Sequence, residues 1–359
     1  MNVNEQYIND NYERFPFYIK EYIDYRRRGG STQFSTLKKY ITKFNHFYEW
    51  NYVNAFCTSK TLSDFSLDDL SQLSKRDLES YFSSLERENI GTSEIPKYRT
   101  PETVNGYIAS LKSIYNFLCN ESEFDDGTPY LIANTMAKVK LGGTKETHNV
   151  RSRRISNHIL NSEEEIKLFL EFIDIGYYEC IKDSTMQVAY YNKYKERDKC
   201  ILYTLLYSGV RVSELCAIKE EDIDFRNGSL RVLRKGNKDD IIIINTELID
   251  EIRSYINSKA NHVKNGYIFS RDKNPNLPIT DRTVRNITHK YSILFGVDMS
   301  PHKFRNTYAT WLSDVSKHDI STVMSQLGHN NSDTTLLYIN NNIDKVKNIV
   351  NLLNTKKEE

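Results

Sequence analysis

RDKCILYTLLYSGVRVSELCAI, residues 197–218, decides the fold class. Its apolar run from Cys200 to Tyr207 is far shorter than the roughly 20 residues a membrane span needs, so it reads as a buried helix. Gly209 stops it, because glycine takes the left-handed conformation that closes a helix at no steric cost. A second helical pattern starts at once with VSEL, leaving Arg211 in the break between the two. The next segment, GSLRVLRKGNKDDIIIIN (228–245), changes period: Leu230 and Val232 alternate, a Gly-Asn turn follows, and a β-branched run closes what reads as a β-hairpin. Lys235 lies at its tip, with Lys238 three residues on.

Helical signals return after Thr280. In SPHKFRNTYATWL (300–312), Ser300 is placed as the cap and Pro301 as the first helical residue, so His302 and Arg305 share one face of the first turn. ISTVMSQL (320–327) ends at Gly328, expected to be left-handed, and His329 follows it. Tyr338 stands nine residues beyond, on a further helix for which Ser332 is a fair cap.

Upstream the chain reads as helix alone. STLKKYITKFNHFYEW has Ser35 as its expected cap and a stripe of Leu37, Ile41, Phe44 and Tyr48. SKRDLESYFSSL offers Ser74 with Asp77 three residues later, close to a capping box. Thr100 and Pro101 open a helix that buries Val104, Ile108, Leu111, Tyr115 and Leu118, and one more helix is expected near 17–26. These segments describe a helical bundle over 1–140. LGGTKETHNVRSRRISN (141–157) has weak helix and strand signals and reads as a linker. A second, mixed α/β domain then covers 158–340, capped at its start by Ser162, and an apolar helical face (Ile343, Val346, Ile349, Val350, Leu353) occupies the tail 341–359.

Composition narrows the function. No apolar run approaches membrane length, and the polar first fifteen residues contain no signal core. Five cysteines, odd in number and without a C-x-x-C pair, argue against a zinc site or a disulfide framework and read as buried thiols in a reducing cytoplasm. Net charge is only +1, but it is unevenly spread. Lys138, Lys140, Lys145, Arg151, Arg153 and Arg154 face Glu146 alone between Leu131 and Leu160. The cluster is either a solvated connector or a basic strap for a polyanion.

Each of Arg211, Lys235, His302, Arg305, His329 and Tyr338 has an ordinary explanation as a surface charge, a cap or half-buried core. With 25 tyrosines in the chain, one tyrosine says little by itself. Together they describe phosphoryl chemistry: two guanidiniums to grip a phosphodiester, a lysine to protonate a leaving alkoxide, two histidines titrating near neutrality, and a phenol, ordinarily near pKa 10, beside such cations as nucleophile. No Asp/Glu cluster with metal-ligand spacing stands out, so no metal or other cofactor is expected.

The set resembles the tyrosine recombinase (phage integrase) family. G-V-R-V-S-E-L at 209–215, Lys235 on a hairpin, H-K-F-R at 302–305, L-G-H at 327–329 and Tyr338 match its signatures in order and spacing, and TPETVNGYIASLKSIYNFL resembles its core-binding domain. Two departures stand out: Arg234 where many relatives have glycine before the hairpin lysine, which leaves Lys238 open as the alternative acid, and a connection at 174–199 longer than usual, with DNA or subunit contact as its only suggested role.

The resemblance implies an N-terminal helical core-binding domain and a C-terminal catalytic domain gripping duplex DNA, with the basic linker on phosphate. It implies strand exchange through a 3′-phosphotyrosine without metal or ATP, and a homotetramer on two DNA sites with tail helices exchanged between subunits. The short segment before the first helix leaves no room for an arm-binding domain. The Asn-, Lys-, Ile- and Tyr-rich composition suggests a low-GC bacterial source, and a chain longer than the family's chromosome-dimer-resolving members looks more like a mobile-element transposase or integrase, working with companion transposition proteins by analogy. A type IB topoisomerase, which usually lacks a histidine at position 302, and a non-catalytic accessory protein of the same fold are the alternatives.

Overall fold

The structure, a computed structural model, describes residues 3–28, 33–143, 147–156, 158–234, 238–259, 262–328 and 335–337. The chain divides into two compact units, Met1–Lys145 and Glu146–Glu359.

The first unit is built from α1 (Val3–Asn11), α2 (Phe17–Arg28), α3 (Phe34–Val53), α4 (Leu67–Gln72), α5 (Lys75–Arg87) and α6 (Pro101–Asn120). The expected stripes are its core: Leu37, Ile41 and Phe44 of α3 and Leu111 and Tyr115 of α6 are fully buried. Ser74 and Asp77 form a complete capping box, and Thr100 Oγ1 accepts from the Thr103 amide at 3.3 Å. The start of α3 differs from expectation. It lies at Phe34, with Gln33 at the cap and Ser35 inside the first turn, because Phe34 packs on the bundle core and extends the helix past the serine.

The second unit begins with α7 (His148–Ser156), where the sequence suggested irregular chain. Its tertiary contacts compensate for weak propensity: Ile155 packs beside Tyr308, Val323 and Leu327, and Ser152 is buried. Next come α8 (Glu163–Glu171), α9 (Tyr177–Ile181), α10 (Thr185–Ser208) and α11 (Val212–Ala217). Ser162 caps α8 by accepting from the Glu165 amide. The expected hairpin is present as β2 (Ser229–Arg234) and β3 (Lys238–Ile243), with Leu230 opposite Ile242 and Arg234 opposite Lys238; a short β1 (Ile223–Asp224) joins the far side of β2. A two-stranded β4 (Ser270–Arg271) and β5 (Asn274–Pro278) pair was not legible, because Pro275 and Pro278 argue against a strand. Helices α12 (Thr246–Ser258), α13 (Asp281–Phe295), α14 (Pro301–Val315) and α15 (Ile320–Leu327) complete the unit.

The long connection 174–199 is part of this core. It forms one π-helical turn, α9 and the first half of α10, and buries Tyr177, Ile181 and Tyr191. Asp198, fully buried, accepts from Arg197 at 2.8 Å and from Lys290 at 2.6 Å. The Lys290 ammonium also lies over the rings of Tyr177, Tyr190 and Tyr291. Gly209 closes α10 with φ +61°, and a Cβ there would fall 2.3 Å from the Tyr308 ring, so the break preceding Arg211 tolerates glycine alone. All five cysteines are unpaired; Cys57, Cys200 and Cys216 are buried as expected, whereas Cys180 is exposed on α9.

Candidate active site

Three of the six expected residues lie within the described structure, and they converge. Arg211 caps α11, with its backbone amide donating to Glu214 Oε2 at 2.8 Å and its Nη1 to Glu214 Oε1 at 2.7 Å. Arg305, on the first turn of α14, is almost completely buried. Its Nη1 donates to the Gly209 carbonyl at 2.5 Å and its Nη2 to the Leu327 carbonyl at 2.6 Å. One guanidinium thus ties the break that presents Arg211 to the helix end that precedes His329.

His302 sits at the exposed start of α14. Its imidazole is held below its ordinary pKa of 6.5, first by desolvation among its neighbours and then by the positive charges of Arg305, Arg211 and Arg151. It therefore stays neutral, able to accept a proton, near physiological pH. Ser300 occupies the cap position of α14, but its hydroxyl makes no cap hydrogen bond; Pro301 at the first position is as expected.

Lys235, His329 and Tyr338 lie outside the described residues, and their flanks frame them. Arg234 and Lys238 close the two strands on either side of the hairpin tip. Gly328 ends α15 in the left-handed conformation, φ +62°. Thr335 to Leu337 form a helical turn that leads to Tyr338, and α7 holds it: Ser152 Oγ donates to the Leu337 carbonyl at 2.9 Å.

The described basic residues of the connecting segment fall in both units. Lys138 and Lys140 are exposed on the first unit on either side of the buried Val139. Arg151 and Arg154 are exposed on α7 in the second unit, and Arg151 is close enough to act on His302. Lys145 and the side chain of Arg153 lie outside the described residues.

Sequence reasoning missed a buried carboxylate and the residues gathered round it. Glu214 is 4% exposed and accepts a third hydrogen bond, from Arg234 Nη1 at 3.0 Å. Arg234 is itself 8% exposed; its Nε donates to Asp240 at 2.9 Å and its Nη2 to the Gln326 carbonyl at 2.9 Å. The Gln326 side-chain amide brackets β3, accepting from the Ile243 amide at 3.0 Å and donating to the Ile243 carbonyl at 2.7 Å. The only sequence signal was the glutamate three residues after Arg211, a spacing that fits capping.

Among the described residues no helix is long and apolar enough to cross a membrane. The model of the Phage integrase family matches residues 182–345. The tyrosine recombinase XerS of Streptococcus mutans is 31% identical over 352 residues, which are 96% of this chain and 98% of that protein. XerS of Streptococcus uberis is 29% identical over 344 residues, 94% of this chain and 95% of that one. Two solved structures share the fold: the XerH site-specific recombinase bound to palindromic difH substrate in a post-cleavage complex (17% identity, 89% of this chain and 80% of that chain, TM-score 0.63) and a lambda integrase dimer bound to a COC′ core site (13% identity, 91% and 95%, TM-score 0.57). The mainly helical architecture with its small antiparallel sheet, the ordered motifs and the full-length kinship agree, and none of the relatives named here is a topoisomerase. The chain belongs to the tyrosine recombinase (phage integrase) family, the tyrosine-type site-specific DNA recombinases.

Proposed function

We propose that Tyr338 is the nucleophile that cuts and rejoins duplex DNA. Its Oη would attack a backbone phosphorus, forming the Tyr–O–P bond at the 3′ side as the P–O5′ bond breaks. His302, neutral at physiological pH, would take the phenolic proton, and Lys235 would deliver one to the leaving 5′-oxygen. Arg211, Arg305 and His329 would bind the non-bridging oxygens, where charge grows in the transition state; removing one such preplaced donor typically costs about 10²–10³ in rate. The phosphate ester is conserved as phosphotyrosine, so a 5′-hydroxyl from the same or a partner duplex reverses the step without ATP or a metal.

The observation that carries this reading is the convergence of Arg211 and Arg305 on His302, from two motifs about a hundred residues apart. The first unit, with Lys138 and Lys140, serves as core-binding domain; Lys145, Arg151, Arg153 and Arg154 add phosphate contacts. The apolar face of the tail 341–359 supports exchange between subunits in a tetramer on paired sites. A mobile element and companion transposition proteins rest on analogy within the family.

The test uses duplexes selected by the full chain from a randomised pool, nicked so that cleavage is trapped, in EDTA. Wild type gives a covalent protein–DNA band that survives denaturing detergent, and Tyr338→Phe gives none while still shifting the duplex on a native gel. A band from both proteins moves the nucleophile elsewhere. No band from either, with binding intact, supports the accessory-protein reading.

A further inference from the structure

Arg234 is a buried arginine on a strand that ends directly before the proposed general acid. Burying a guanidinium is costly unless its charge is matched and its N–H groups are satisfied. Here its Nε donates to Asp240 at 2.9 Å, Nη1 to Glu214 at 3.0 Å and Nη2 to the Gln326 carbonyl at 2.9 Å. These three acceptors belong to three different parts of the site. Asp240 is on the opposite strand of the hairpin. Glu214 is the carboxylate that also orients Arg211 through two bonds. Gln326 lies in the last turn of α15, two residues before Gly328 and three before His329. Contact with α15 is close: a Cβ on Gly328 would lie 2.6 Å from Arg234 Nε.

We propose that Arg234 is a positioning residue that locks the lysine-bearing hairpin to the Arg211 and His329 elements, so that Lys235 meets the leaving 5′-oxygen in register with the phosphate grip. The planar fork explains the residue type. Three nitrogens in fixed directions reach a strand, a carboxylate and a helix end together, which a lysine ammonium on a flexible stem does not do. Gln326 reinforces the lock by bracketing Ile243 on β3. The inference rests on the reading of Lys235 as general acid.

The experiment compares cleavage of an ordinary nicked duplex with one in which sulfur replaces the bridging 5′-oxygen. With sulfur, the P–S bond breaks and the thiolate leaves without a proton, since thiols ionise near pKa 8.5. Lys235→Ala, Arg234→Gln and Arg234→Lys are measured against wild type, with duplex binding and thermal unfolding recorded for each. Misplacing a catalytic group by an ångström costs about 10²-fold. Arg234→Gln is expected to lose about that on the oxygen substrate, with binding unchanged, and to recover most of it on the sulfur substrate. Arg234→Lys is expected to fall between it and wild type.

Wild-type cleavage of the oxygen substrate by Arg234→Gln overturns the inference. So does an equal loss on both substrates when Lys235→Ala is rescued by sulfur. If Lys235→Ala is not rescued, the general-acid reading itself fails, and the inference with it. Asp240→Asn, which weakens one arm at the hairpin surface, gives the same comparison if Arg234→Gln does not fold: a smaller loss on oxygen that sulfur relieves supports the lock, and a loss that sulfur leaves unchanged overturns it.

Discussion

The first unit buries aromatic rings; the second buries charges. Among the described residues, no Asp, Glu, Lys or Arg of the first unit is fully buried, and its core is held by Tyr18, Tyr22, Phe44, Phe47, Phe65, Tyr81 and Tyr115. The second unit takes Arg197, Asp198, Glu214, Arg234 and Arg305 out of solvent. Apolar packing gives stability without directional demands. Buried ion pairs add little net stability against apolar replacements, yet they fix geometry because each partner is intolerable alone. Three of the five buried charges surround the proposed phosphate site, and two of them differ in what holds them. Arg305 donates to two peptide carbonyls from distant parts of the chain. Arg234 is fixed mainly by carboxylates, which match its charge and leave it a structural brace.

The contrast can be broken by mutating each core and reading each unit separately. The chain has two tryptophans, Trp50 in the first unit and Trp311 in the second, so single-tryptophan variants report on one unit each. Glu214→Ala leaves Arg234 and Arg211 without their shared acceptor and is expected to lower the stability of the second unit by about 3–5 kcal/mol. Denaturant unfolding should show the Trp311 transition moved and the Trp50 transition in place. Leu111→Ala opens a cavity in the first unit and is expected to cost about 2–5 kcal/mol, moving the Trp50 transition alone. Coincident shifts of both transitions in either variant would mean that the two cores unfold as one.

The smallest effect is electrostatic. Arg151 is one of three cations that lower the His302 pKa, after desolvation. Removing that charge lets the imidazole rise toward 6.5, so protonation begins at higher pH. Arg151→Gln is therefore expected to shift the acid limb of the cleavage-rate profile, measured at saturating duplex, upward by a fraction of a pH unit. An unchanged limb would remove Arg151 from the site's electrostatics.

Much of this was legible in the chain because it is local. The stripes of α3 and α6 repeat at helical spacing, Gly209 and Gly328 mark helix ends, and Arg211, His302 and Arg305 each sit at a break. What stayed hidden acts across space. Nothing near Arg234 in sequence announces that its fork meets Glu214, Asp240 and Gln326. Helix α7 looked irregular because its propensity is weak and its support comes from Ile155 and Ser152 meeting distant partners. The 174–199 connection looked like an appendage because Tyr177 packs on Tyr291 of α13, more than a hundred residues along the chain.

The Gln326 bracket on β3 has one more consequence. β3 is the edge of its sheet, and Ile241 and Ile243 are 65% and 60% exposed along it. An apolar edge with open amides and carbonyls is a template on which another chain can add a strand. By meeting both the amide and the carbonyl of Ile243, the glutamine imitates the next strand for one residue and then ends it. The same contact that braces the hairpin thereby blocks strand addition at that residue of the sheet edge.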